Sequence, residues 1–152
     1  MGRLVMKFGG TSVANIERIK NVARHVEREV KAGNHVAVVV SAMSGATNQL
    51  VEWCRQAAPM HDAREYDAVL STGEQVTAGL LAIALQEIGI PARSWAGWQI
   101  PIQTDGVHGS ARMTEINGGE ILKRMEQGQV AVITGFQGIG PDKRVTTLGR
   151  GG

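Results

Sequence analysis

The chain has 152 residues, 43% of them hydrophobic, and its 16 basic side chains against 14 acidic ones leave a formal net charge of +2. That length and balance suit one compact domain and exclude a disordered or fibrous chain. Lysines and arginines are scattered among carboxylates rather than gathered into a stripe, so no nucleic-acid partner is implied.

The single cysteine, Cys54, has no second thiol for an intrachain disulfide or a thiolate metal site, which suits a reducing cytoplasm. No unbroken apolar run approaches the ~20 residues of a membrane span, and the start lacks the apolar core of a secretion signal. A soluble cytoplasmic protein without a membrane partner is the expectation.

Leu4 to Phe8 reads as a first strand, followed at once by Gly9, Gly10, Thr11 and Ser12. Ile16, Ile19, Val22, Val26 and Val30 then recur at helical spacing up to a stop at Gly33-Asn34. Val36 to Val40 is a nearly unbroken β-branched run, the mark of a strand buried on both faces. A loop rich in serine and glycine follows, and a helix from about Asn48 to Ala57 ends before Pro59. Residues 71–89 predict a longer helix, capped by Ser71 or Thr72 and stopped by Gly89, with Val76, Leu80, Ile83 and Ala84 on its apolar side. Residues 91–97 carry a short strand, while residues 100–116 are rich in turn formers and yield no firm element. A helix near Gly119 to Glu126 precedes a buried strand within 129–135, and residues 136–152 read as a hairpin running into a glycine loop.

This alternation predicts an α/β sandwich around a mostly parallel central sheet, a fold whose sites gather at the carboxyl ends of the strands. Loops 9–12, 41–47 and 135–140 occupy such ends. The closing stretch TTLGRGG stops where a loop should hand over to a helix, so the chain is expected to be cut short.

The loops suggest anion chemistry. Glycine amides at a turn into a helix can hold phosphate oxygens. Lys7, placed just before Gly9 and Gly10, either adds a full positive charge to such a site, as phosphoryl transfer requires, or simply reaches solvent above an ordinary turn. Because the lysine precedes the glycines, the pattern is neither a Walker loop nor a dinucleotide fingerprint. Ser41, Ser44, Thr47 and Asn48 could cap a helix or touch a ligand. Glu74 in the first turn of its helix suits the helix dipole with or without a ligand. Arg150, between glycines, could clamp a carboxylate or belong to a loose end. His25, His35, His61 and His108 lack the spacing of a metal set, so no metal is expected on them. Trp53, Trp95 and Trp98 are expected in the core or at an interface.

Taken together, KFGGTSV, VVSAMSGATN, STGEQ, GFQG and TTLGRGG, in this order and spacing, resemble the aspartate kinases of the amino-acid kinase family over essentially the whole chain. The resemblance implies that family's three-layer, carbamate kinase-like fold. It implies transfer of the γ-phosphoryl group of ATP, with Mg2+, to the side-chain carboxylate of L-aspartate. The product, 4-phospho-L-aspartate, would feed synthesis of lysine, threonine, methionine and isoleucine. By resemblance, Lys7 is the catalytic lysine, Phe8, Gly9 and Gly10 are its companions around the phosphates, and Ser41 and Thr47 line the phosphate and aspartate sites. Glu74 would meet the substrate's ammonium, and Arg150 with Gly151 a substrate carboxylate. The family continues past this point into a nucleotide-binding half and regulatory ACT domains. Residues 1–152 therefore match the amino-terminal, aspartate-side half of the kinase domain, from a protein expected to be a homo-oligomer when whole and inactive as this fragment. Two alternatives stay open: another acceptor within the family, such as glutamate or carbamate, and a non-catalytic assembly piece.

Overall fold

The computed structural model describes residues 2–149. In chain order the elements are β1 (Arg3–Phe8), a 3-10 turn (Gly10–Val13), α1 (Ile16–Lys31), β2 (His35–Val40), α2 (Ala46–Ala57), α3 (Ala63–Leu70), α4 (Thr72–Glu87), β3 (Ala92–Trp95), β4 (Ile102–Thr104), β5 (Met113–Ile116), α5 (Gly119–Glu126), β6 (Val130–Thr134), β7 (Gln137–Ile139) and β8 (Val145–Thr147).

Four strands form a wholly parallel sheet in the order β1-β2-β6-β3. Val36, Val38 and Val40 of β2 and Val130 and Val132 of β6 are buried against α1 and α4 on one face. On the other face Ala37, Trp95, Ile100 and Ala131 pack with Ile121 and Met125 of α5. Helix, sheet, helix is the expected three-layer arrangement, and the continuous apolar character of β2 follows from its two covered faces.

Local chemistry explains where α1 begins and which way it turns. The Asn15 side chain accepts from the Arg18 amide at 3.0 Å, Glu17 lies in the first turn, and Arg28 and Lys31 lie in the last, all in the sense the helix dipole favours. Its inward stripe is Ile19, Val22, Ala23 and Val26.

The expected apolar side of α4 needs correction. Val76 and Ile83 are 55% and 62% exposed. The buried stripe is instead Gly73, Thr77, Ala78, Leu81, Ala82 and Leu85, and only Leu80 and Ala84 of the expected set reach the core, from its margin. Small residues on the inner stripe let the helix backbone sit close to the sheet, so bulk alone pointed to the wrong side.

The cap expected at Ser71 is also different. Ser71 is itself helical, and its hydroxyl donates to the Ala68 carbonyl at 3.1 Å rather than capping α4. Helix α3 was not anticipated; with α4 it makes an almost unbroken rod over Ala63–Glu87, 25 residues long and apolar enough by composition to cross a membrane. Half of its most apolar window is buried inside the protein, and it carries the buried carboxylates Asp67 and Glu74, as suits a core helix of an α/β fold.

Residues 100–116, left without an element by sequence, supply β4 and β5. With the hairpin β7–β8 they build a second sheet, in the order β5-β4-β7-β8, in which β4 runs parallel to β7 and the remaining pairs are antiparallel. Of the tryptophans, Trp95 is buried and flanked by the Arg93 guanidinium 4.1 Å from its ring centroid, while Trp53 and Trp98 are about half exposed.

Candidate active site at the carboxyl ends of the parallel strands

Because β1, β2 and β6 are adjacent and parallel, the loops that follow them emerge on one side. Their ladder extends past the strand ends: the Ser41 amide donates to the Phe8 carbonyl at 3.1 Å, and the Gly135 amide donates to the Val40 carbonyl at 3.0 Å. The loops are thereby held together around a cavity of about 420 Å³, completed by the first turns of α2 and α4.

Two glycines allow this closeness. A Cβ on Gly73 would lie 2.9 Å from the Ala42 Cβ, so α4 could not approach the β2 loop with any larger residue there unless something shifted. A Cβ on Gly135 would stand 3.1 Å from the Val40 carbonyl oxygen.

Lys7, Gly10, Ser41, Thr47 and Glu74, drawn from five separate elements or loops, all line this cavity. Two other residues of the expected phosphate group do not. Phe8 turns its partly buried ring toward the core on the α1 side, and Gly9 is exposed outside the lining. Arg150 and Gly151 lie outside the described residues.

The charged groups differ in their surroundings. Lys7 is exposed at the end of β1 and makes no ion pair with any described residue, so its ammonium is available to an anion. Glu74 is 3% exposed, and its Oε1 accepts a hydrogen bond from the Ala42 amide at 3.3 Å. Its Oε2 is buried with no hydrogen-bond partner. Burial pushes the Glu74 carboxyl up to about 7, against the opposing pull of hydrogen bonds from its own amide and that of Ala42. A carboxylate sealed beside a cavity with one oxygen unused is built to receive a donor, and a cationic donor would restore its ionised form.

The hydroxyls of the β2 loop do not cap α2. Its first residue follows Gly45, which adopts a left-handed conformation with φ 81°, and no side chain caps the helix. Ser41, Ser44, Thr47 and Asn48 all face the cavity lining instead, beside the positive end of a helix dipole. Among the wall residues that sequence reasoning did not single out is Phe136. It has a φ of 70°, a conformation that costs a non-glycine residue on the order of 1–3 kcal/mol, and its carbonyl is held by the Leu148 amide at 2.7 Å. The GFQG stretch hinted at a turn there, but nothing local marked the phenylalanine as strained.

Comparison with known proteins follows the same lines. The model of the amino acid kinase family matches residues 2–152. The chain belongs to the amino acid kinase family. Within that family it is 51% identical to an aspartokinase of a Bacillus species over 152 residues, all of this chain and 37% of that protein. The crystal structure of an aspartate kinase from Synechocystis superposes with a TM-score of 0.81 at 43% identity, over 97% of this chain and 24% of that one. Aspartokinase III of E. coli, solved in complex with aspartate and ADP, superposes with a TM-score of 0.85 at 25% identity, over 97% of this chain and 44% of that one. The chain thus spans about 37% of the length of the curated relatives it matches. The amino acid kinase fold accounts for both halves of the architecture, the parallel sheet and the small second sheet, since the superpositions cover nearly all of the chain.

Proposed function

We propose that residues 1–152 form the acceptor-side half of an aspartate kinase domain, the half that holds L-aspartate and presents its side-chain carboxylate to ATP. The observation that carries this reading is Glu74, a buried carboxylate with one unpartnered oxygen on the wall of the cavity that Lys7 also lines. Aspartate brings one ammonium and two carboxylates, so its site needs both signs of charge. Glu74 supplies the anion and Lys7 a cation. The 46% and 51% identities to aspartokinases over the full chain favour aspartate over other acceptors.

In this reading the ionised Glu74 accepts from the substrate ammonium and fixes the orientation of the side chain. A carboxylate oxygen of aspartate attacks the γ-phosphorus of ATP, the bond from that phosphorus to the bridging oxygen breaks, and ADP departs. Lys7 is placed to stabilise negative charge spread over the moving phosphoryl group. The Gly10 amide and the hydroxyls of Ser41 and Thr47 are available to orient oxygens around it. Magnesium that accompanies the nucleotide finds no group of three or more candidate ligands among the described residues. The nucleotide's base and metal are expected to rest on parts of the whole protein outside residues 1–152.

The test separates binding from turnover. The 152-residue chain should bind L-aspartate in a saturable calorimetric titration yet consume no ATP, because phosphoryl transfer depends on positioning both partners. In the whole protein, aspartate should drive ATP consumption far better than glutamate, and Lys7→Ala should lower kcat by roughly 10²-fold or more with little change in Tm. Glutamate preferred over aspartate would reassign the acceptor. Turnover by the 152-residue chain alone would overturn its reading as half a site.

A further inference from the structure

The outer side of α4 is apolar and uncovered. Val76 and Ile83 stand seven positions apart, each more than half exposed, and Leu80 falls between them at helical spacing, so the three form a ridge along the helix. Among the described helices no other exposes two large apolar side chains. A groove opens beside each half of the ridge. Toward the C-terminal half, α4 and α1 enclose about 520 Å³ lined by Leu80, Ile83 and Ile88 with Ile16 of α1. Toward the N-terminal half, α4 and α2 enclose about 200 Å³ lined by Thr72 and Val76 with Leu50 and Trp53 of α2. Apolar surface this continuous marks a place of contact, whereas single exposed apolar residues do not.

Gly79 lies on the same side, between the residues of the two grooves. Gly73 of this helix has a reason inside the chain, since a Cβ there would lie 2.9 Å from the Ala42 Cβ. Gly79 has none: a Cβ there would meet nothing within 4 Å. Glycine inside a helix weakens it relative to alanine and is used where another backbone must come close. That backbone is not among the described segments. Charge narrows the choice of visitor. Lys20 and Arg24 of α1 and Glu87 of α4 line the larger groove, and none of the three makes an ion pair with a described residue. A uniformly acidic or basic partner would satisfy one sign and repel the other, whereas a second copy brings both.

We propose that the outer side of α4 is an interface between two copies of this chain, in which the two α4 helices cross obliquely at Gly79 about a two-fold axis and the ridge of each copy enters both grooves of the other. A two-fold interface sets one patch against itself, so a projection and a matching recess must lie on the same surface. α4 carries the two side by side, and ridges seated in grooves are how packed helices meet. The glycine at the crossing lets the backbones approach. Lys20, Arg24 and Glu87 then sit at the edge, where the charges left unpaired on one copy face those of the other.

Sedimentation velocity of this chain from about 1 to 300 µM, a range suited to the weak end of protein association, tests the interface. A reversible equilibrium that stops at the dimer is expected. Ile83→Asp should weaken it at least about tenfold by setting a charge in the apolar centre. Gly79→Leu is the sharper variant, because it adds apolar surface and helix propensity: non-specific adhesion would grow, whereas a close crossing must be lost. Met113→Asp, on the exposed strand β5, should leave the equilibrium unchanged. Urea unfolding at about 1 µM, below the association range, should be undiminished in all three variants, so that a lost dimer is not a lost fold. A chain that stays monomeric throughout, association that continues past the dimer, or dimerisation that survives Gly79→Leu overturns the proposal.

Discussion

Asp67 and Glu74 are two carboxylates on one helical rod, both buried to 3% exposure or less, and their surroundings could hardly differ more. Asp67 meets His108, Gly109 and Thr147 and has both oxygens saturated. Glu74 is met only by backbone amides, that of Ala42 on Oε1 at 3.3 Å, and its Oε2 has no hydrogen-bond partner. Burial therefore does not decide what a carboxylate does. The supply of donors does: where they are built in, the group fixes structure, and where one is withheld beside a cavity, the group waits for a ligand.

The sharpest way to break this comparison is to remove the saturated member. Asp67→Ala strands the Thr147 hydroxyl and the Thr147 and Gly109 amides without their acceptor, and should cost roughly 3 kcal/mol or more, a fall in Tm of about 6–12 °C by calorimetry. A fall of under about 2 °C would mean that these bonds add nothing to the fold.

Removing the unsaturated member should do the opposite. Burial pushes the Glu74 carboxyl up from its ordinary 4.5 to about 7, so folding favours its protonated form. The resulting penalty is absent below pH 4.5, grows as pH rises between the two values and is complete above 7. Glu74→Gln should accordingly stabilise the ligand-free chain by roughly 2–3 kcal/mol at pH 8 and leave it near native at pH 4, as read from urea unfolding at both. A residue kept at a cost to stability is one with a use elsewhere. Equal effects at the two pH values would remove the burial argument.

Next in size is the wall that brings Glu74 to the cavity. Gly73→Ala gains about 1 kcal/mol in helix propensity but places a methyl 2.9 Å from the Ala42 Cβ, and overpacking costs typically 1–3 kcal/mol. A net loss of about 1 kcal/mol, with weaker aspartate binding, is the expected outcome; a more stable chain with native binding would show the β2 loop free to yield. The smallest effect belongs to the outer side of the same rod, where Ile83→Ser should change stability by less than about 0.5 kcal/mol because the side chain is 62% exposed.

That last contrast marks where the sequence was readable and where it was not. Strands β1, β2 and β6 and helices α1 and α5 follow from short-range periodicity and caps, and the three strand-end loops that meet at the cavity follow from the alternation of elements. The inward side of α4 did not, because Gly73, Thr77 and Ala78 are inside for their smallness while Val76 and Ile83 are outside despite their bulk. Lys7 drew attention by its place before two glycines. Glu74 was ambiguous from the residues alone, since a first-turn carboxylate looks the same in sequence whether water or a sealed wall surrounds it. The Asp67 cluster was invisible for a plainer reason: its partners lie 41 to 80 positions away, and residues 100–116, which bring His108 to it, carry no periodic signal.

The central claim, that Glu74 is an ionisable receptor for the substrate ammonium, is tested most directly by the pH dependence of L-aspartate binding to this chain. Because the carboxyl must give up its proton to accept the ammonium, affinity should tighten about tenfold between pH 6 and pH 8, with a proton released on binding, and Glu74→Gln should abolish both the affinity and its slope. An affinity that stays flat across that range, or a slope that survives in Glu74→Gln, would contradict the account.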